Sequence, residues 1–203
     1  ALLKEKIKKF SKDNNILVYC GAVKYGQYGY EECDDEKKQI QKVVEMLTND
    51  LNMRVSKFTS EENTEQRQAL LKSFKNEELQ ALVAIKCLDE GMNVPAIKTA
   101  FILASSTNPK EYIQRRGRVL RNYPGKKVAE IFDFVTIPRN LQTISSLPKD
   151  ILKIELSLVK KEIIRLLDFI NLSNNPSEGN AIINEIKTAY SMEIIDEGVD
   201  EYE

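Results

Sequence analysis

Histidine is absent from the 203-residue chain, and its three cysteines, Cys20, Cys33 and Cys87, have no metal-ligand spacing. A zinc site is therefore not expected, and the default reading is a reduced, cytoplasmic protein. No leader-like segment and no apolar run long enough to span a bilayer is present, so no membrane partner is expected. The chain also lacks a Gly-x-x-x-x-Gly-Lys-Ser/Thr loop, because Gly125-Lys126-Lys127 has neither the upstream glycine nor the following hydroxyl. The triphosphate cradle that such a loop would build is missing. Asp34-Asp35-Glu36 and Asp89-Glu90 do not follow a hydrophobic strand in the manner of a metal-holding motif, and they read as solvent-facing acids. Finally, no sign of charge dominates: 30 Lys and Arg stand against 31 Asp and Glu, a net charge of -1. Any attraction for a polyanion must be local, or shared with other parts of the protein.

The residues that are present, 42% of them apolar, suffice for one core and a small appendage. Short apolar runs at Asn15 to Cys20, Met53 to Phe58, Leu79 to Lys86, Lys98 to Ala104 and Lys127 to Val135 read as strands. Between them, Asp34 to Leu47 has Ile40, Val43, Val44 and Leu47 at helical spacing. A second helix, capped by Thr59 or Ser60, runs through Phe74 with Ala69, Leu70 and Phe74 as its apolar side. This alternation predicts an α/β fold, with a mainly parallel sheet flanked by helices. After Val135, Pro138 and Pro148 bracket a polar linker. Lys149 to Leu172 then repeats Ile151, Ile154, Leu158, Ile163, Leu166, Leu167 and Ile170 as an amphipathic helix. Asn171 to Asn180 reads as a loop, a shorter helix extends to about Ser191, and Asp196 to Glu203 is an acidic end. The expected domains are residues 1–137 and a helical extension with an acidic tail at 138–203.

The densest chemical signal is Gln114-Arg115-Arg116-Gly117-Arg118-Val119-Leu120-Arg121. Asn108-Pro109-Lys110-Glu111 supplies an N-cap, a proline at the first helical position and an early acid, so a helix should start there. Gln114, Arg118 and Arg121 then share one face, while Tyr112, Ile113, Val119 and Leu120 can supply a buried side. An amide and two guanidinium groups on one face suit polyphosphate, and Gly117 lets another backbone or ligand come close. A solvated basic face is the alternative.

Gln-x-x-Gly-Arg-x-x-Arg resembles motif VI of the superfamily 2 helicases and translocases of DEAD/DEAH type, in a form close to their DNA-directed restriction-subunit and repair-helicase branches. Cys87 to Pro95 (CLDEGMNVP) resembles motif V, and Asn15 to Cys20 resembles motif IV. In place of the common family Asp the chain has Asn93, and Ile85 and Lys86 replace the usual Thr or Asn. The resemblance implies a RecA-like fold, the second of two motor domains. It makes Arg118 and Arg121 a pair of arginine fingers, with Gln114 beside the attacking water or the partner domain's acidic motif. Paired hydrogen bonds from such a guanidinium can accelerate phosphoryl transfer by about a thousandfold or more. Arg115 and Arg116 are candidates for the same task or for salt bridges.

By the same resemblance, Gly91 and Asn93 contact the nucleotide, and Gly21, Thr59 and Lys86 contact the nucleic-acid backbone, with Arg67 a weaker candidate in motif IVa. Thr59 also reads as a simple N-cap. A first RecA-like domain of the same polypeptide, upstream of Ala1, is expected to hold ATP and Mg, and this segment alone is not expected to hydrolyse ATP. DNA is the expected strand. RNA, or a degenerate domain that only binds, are the alternatives.

Overall fold

The computed structural model describes residues 2–20, 32–59, 61–85, 97–103 and 109–192. The chain divides into two compact units, Ala1–Phe134 and Val135–Glu203. The first is an α/β sandwich. Its strands are β1 (Ile16–Tyr19), β2 (Val55–Phe58), β3 (Ala81–Ala84), β4 (Thr99–Ile102) and β5 (Glu130–Asp133). They form one five-stranded sheet in the order β2-β3-β1-β4-β5, and every neighbouring pair is parallel. The three inner strands, ILVY, ALVA and TAFI, are buried at every position, as continuous apolar runs should be when helices cover both faces. The edge strands VSKF and EIFD carry charge and are only partly buried.

Helices α1 (Leu2–Ile7), α2 (Glu32–Glu45), α3 (Thr64–Lys75) and α4 (Pro109–Val119) accompany the sheet. The α1 segment was not anticipated from its short Leu2-Leu3-Ile7 pattern, yet Ile7 is fully buried in the core with Ile16, Val18 and Leu47. Beyond it, Phe10 meets Phe101 and Phe132, whose rings stack at 4.7 Å. Ile40 and Val43 of α2, and Leu47 of the π-helical turn at Met46–Asp50 that continues it, face the core as expected. The cap of α3 differs from the expectation. Asn63, rather than Thr59 or Ser60, accepts from Gln66 N at 2.9 Å, and Gln66 Oε1 accepts from Asn63 N at 3.0 Å. This reciprocal box outcompetes a cap placed several residues earlier. Ala69 is exposed, leaving Phe74 as the buried anchor of that helix.

At the amino ends of the strands, the Gln80 amide donates to Ser11 O and Asp13 O and accepts from Arg54 N. One side chain thus ties three segments into register, and its polar atoms are satisfied despite burial.

The second unit contains α5 (Lys149–Ile170), α6 (Pro176–Ala189) and a 3-10 helix at Leu141–Ser146. The expected polar linker is therefore partly helical, with Ile144 in the unit's core. The loop expected at Asn171 to Asn180 is shorter, because Pro176 starts α6 at a position where its missing N–H costs nothing. Gly179 is needed there: a Cβ would lie 2.4 Å from Ile170 Cγ1. The apolar pattern of α5 misled in its first half. Ile151, Ile154 and Leu158 are exposed, Ile154 by 69%, whereas Leu152, Leu156 and Val159 pack with Ile163, Leu166 and Ile170.

Buried charge makes up the rest of that face. Glu155 accepts from the Arg139 guanidinium and from Tyr190 Oη at 3.3 Å, while Glu162 accepts from Thr136 N at 3.1 Å and from Arg165. Arg139 holds the Glu155 carboxyl below the ordinary carboxylate range. Burial, with the Glu155 charge beside it, raises the Tyr190 hydroxyl.

Candidate functional site

Because the five strands are parallel and paired without stagger, Tyr19, Phe58, Ala84, Ile102 and Asp133 end in one row. Cys20, Thr59, Ile85, Leu103 and Phe134 follow them in the chain. Loops leaving the carboxyl edge of an open parallel sheet are where such folds bind ligands. Gly21, Lys86, Gly91 and Asn93, four of the expected contacts, lie outside the described residues. Cys20 is buried, and burial pushes its thiol up to about 12, so it is an inert packing residue.

Thr59 is described, and it is already engaged. Its N–H and its hydroxyl donate to Glu62 Oε2 at 2.6 and 2.9 Å, its hydroxyl accepts from Glu61 N at 3.2 Å, and its carbonyl accepts from Arg67 Nη2 at 3.1 Å. One carboxylate oxygen of Glu62 thus accepts from both the N–H and the O–H of Thr59. Arg67 Nε is buried and makes no hydrogen bond among the described residues.

The arginine segment forms α4 as its sequence suggests, but only Tyr112 and Val119 of its expected buried side are buried. Tyr112, Arg116 and Val119, spaced four and three residues apart, point inward, with Arg116 only 7% exposed. Ile113 and Leu120 are 45% and 47% exposed. A guanidinium has thus replaced two aliphatic side chains on the inner face, an arrangement that the charge of the residue concealed. The opposite face carries Gln114, which is exposed, and Arg118, which is half-buried; Arg121 follows the helix end and is exposed. Gly117 is also exposed, and a Cβ built on it meets nothing within 4 Å among the described residues. Packing among the described residues therefore gives no reason for a helix-weakening glycine.

One contributor was overlooked in the sequence. Lys126 Nζ donates to the carbonyls of Val119 and Arg121 at the carboxyl end of α4, and burial pushes its ammonium below the ordinary lysine value. The signal was Tyr123-Pro124-Gly125-Lys126, a turn sequence directly after the helix.

The donor chemistry of the α4 face suits a polyphosphate and does not suit a metal. Among the described residues no group of three or more His, Cys, Asp or Glu side chains could hold an ion. Among them, too, no helix is long and apolar enough to cross a membrane.

A family model described as the helicase conserved C-terminal domain matches residues 1–123, more than half of the chain. The chain belongs to that family. It is a helicase C-terminal domain of RecA-like fold, followed by a helical extension. A viral relative, putative helicase 22 of Sulfolobus islandicus filamentous virus, is 31% identical over 77 residues, covering 38% of this chain and 14% of that protein. The yeast DEAD-box splicing factor Prp28 shares the fold at a TM-score of 0.58 and 17% identity, over 94% of this chain and 34% of that one. The C-terminal part of the Fun30 ATPase domain does so at 0.50 and 16%, over 70% of this chain and 41% of that one. The helicase C-terminal domain described here thus spans well under half the length of each of these relatives.

Proposed function

We infer that this domain is the second motor half of an ATP-dependent helicase or translocase, and that a first RecA-like domain of the same polypeptide holds ATP and Mg. The observation that carries this reading is the outward face of α4. Gln114 and Arg118 lie on the side opposite the buried Tyr112, Arg116 and Val119, the exposed Arg121 follows the helix end, and Gly117 between them leaves room, among the described residues, for an approaching body. When bound, ATP supplies the phosphoanhydride that is cleaved. Arg118 and Arg121 bind the γ-phosphate oxygens with planar, permanently charged donors and offset the negative charge that develops there, a task a lysine does less well. Gln114 orients the attacking water or docks the partner domain's acidic motif. Gly91 and Asn93 stand beside the nucleotide in this proposal. Gly21, Thr59 and Lys86 grip the strand backbone, at Thr59 in competition with Glu62.

Closing of the two domains on ATP, and release after hydrolysis, then moves one strand grip relative to the other. Such contacts go to phosphates, so binding is salt-sensitive and largely blind to sequence. For the strand itself, the QRRGRVLR form supports DNA. The likeness to a DEAD-box splicing factor extends over 94% of the chain and supports RNA, which stands beside DNA in this reading. A degenerate, binding-only domain is less well supported, since Gln114, Gly117, Arg118 and Arg121 are all retained. Cytoplasmic location remains part of the proposal.

ATP turnover of the full-length protein, measured with duplex DNA, single-stranded DNA and RNA, tests it. Stimulation by one of them identifies the strand, and no stimulation by any of the three would leave only the binding domain.

A further inference from the structure

The chain turns sharply after α4. Lys126 N donates to Tyr123 O at 2.9 Å, Pro124 presets the first corner, and Gly125 takes a φ of +81° at the second, as a type II turn requires. The turn directs the Lys126 side chain back onto the helix it has just left. Its ammonium donates to Val119 O and, at 3.0 Å, to Arg121 O. Leu120 N still donates to Arg116 O at 3.0 Å, so the helical bonding pattern runs out between these two acceptors. Carbonyls in the last turn of a helix lack intrahelical donors, and a cation there also meets the negative end of the helix dipole. Any lysine could serve as such a cap. Here, however, one of the two carbonyls belongs to Arg121 itself, which lies past the last helical residue.

We propose that Lys126 is a positioning residue for the arginine face: by holding the carbonyls of Val119 and Arg121 it fixes the direction in which Arg121 leaves the end of α4. The inference rests on the reading of Arg121 as a phosphate-facing side chain. Lys126 itself does not touch phosphate. Its half-buried position, and the lowered ammonium pKa that burial brings, agree with a group held against backbone rather than offered to a ligand. A phosphate-binding arginine displaced by about 1 Å can cost on the order of a hundredfold in rate, which is the upper bound for losing this anchor.

The test uses the full-length protein with Lys126→Met, Lys126→Arg and Arg121→Ala side by side. Turnover, KM for ATP, affinity for ADP and for ADP with aluminium fluoride, and thermal unfolding are measured for each. The expected result is that Lys126→Met lowers kcat by about tenfold, within the bound above. It should weaken the aluminium fluoride complex by a similar factor and leave ADP affinity and KM within twofold. Lys126→Arg, whose guanidinium can still reach both carbonyls, should recover at least half of the parental kcat. Three results would overturn the proposal: Met and Arg variants that behave alike, a kcat loss matched by an equal loss of folded protein, or equal weakening of ADP and its aluminium fluoride complex. If Arg121→Ala itself turns over ATP normally, the functional reading fails first. If Arg121→Ala is inactive while Lys126→Met is unimpaired, only the positioning role fails.

Discussion

Helices α4 and α5 both carry arginines, and they use them in opposite ways. On α5, Arg165 is 1% exposed and bonded to Glu162 on its own helix, so its charge serves the packing of the helical unit. On α4, Arg116 turns inward and Arg118 is half-buried, while Arg121, just past the helix end, is exposed. The difference teaches that an arginine's role follows the face of the helix it occupies: Arg165 shares the inner face of α5 with a carboxylate that it bonds, whereas Arg118 lies on the outer face of α4. Residues 155 and 162 place glutamates on the inner side of α5, whereas the last seven residues of α4 contain no acid.

Exchanging the two kinds of arginine for alanine is the most severe challenge to that contrast. Arg118→Ala or Arg121→Ala in the full-length protein should lower ATP turnover by about a thousandfold and shift unfolding by no more than about 0.5 kcal/mol, as surface substitutions do. Nucleic-acid binding should be mostly retained. Arg165→Ala should leave Glu162 buried without its partner and destabilise the second unit by about 3–5 kcal/mol in chemical denaturation. If the two substitutions had interchangeable effects, the division would be lost.

The glycines sharpen it. Gly179→Ala sets a methyl against Ile170, a β-branched side chain with little rotamer freedom, and should cost about 1–3 kcal/mol in the stability of the helical unit. Gly117→Ala should have the reverse sign. With no atom of the described residues near the added methyl, it should stabilise the sheet unit by about 0.5–1 kcal/mol while lowering ATP turnover, because the approach of the partner domain is obstructed. A destabilised Gly117→Ala would show that the glycine serves its own unit after all.

The smallest effect concerns acid. Glu155 is held below the ordinary glutamate range chiefly by the Arg139 hydrogen bonds. Its contribution is therefore complete at pH values above that range and is lost as pH falls through its lowered folded value. The second unit should lose stability in acid, and Glu155→Gln should make that loss shallower; an unchanged pH profile would remove the carboxylate from the account.

Much of this organisation was legible in the chain, and the illegible parts share a cause. All five strands lie inside the runs expected for them, because a strand buried on both faces needs continuous apolar residues and little else in the sequence supplies them. The start of α4 was equally readable from Pro109, and helical spacing set Gln114 and Arg118 on the face opposite Tyr112 and Val119. Apolar residues in a helix proved less reliable. The spacing of Ile151, Ile154 and Leu158 looked like a core stripe, yet Glu155 and Glu162 took part of the inner face because Arg139, Thr136 and Arg165 were there to meet them. Arg116 likewise displaced Ile113 and Leu120.

Local periodicity and turn chemistry, then, determined the order of elements, the parallel sheet and the face of α4 that carries Gln114 and Arg118. Which charged groups are buried, that Thr59 is engaged by Glu62, and that Lys126 folds back onto the end of α4 were decided by tertiary structure. The physical reason is that burying a charge or a hydroxyl is tolerable only beside a partner, and whether that partner is present depends on contacts between side chains that the linear order does not display.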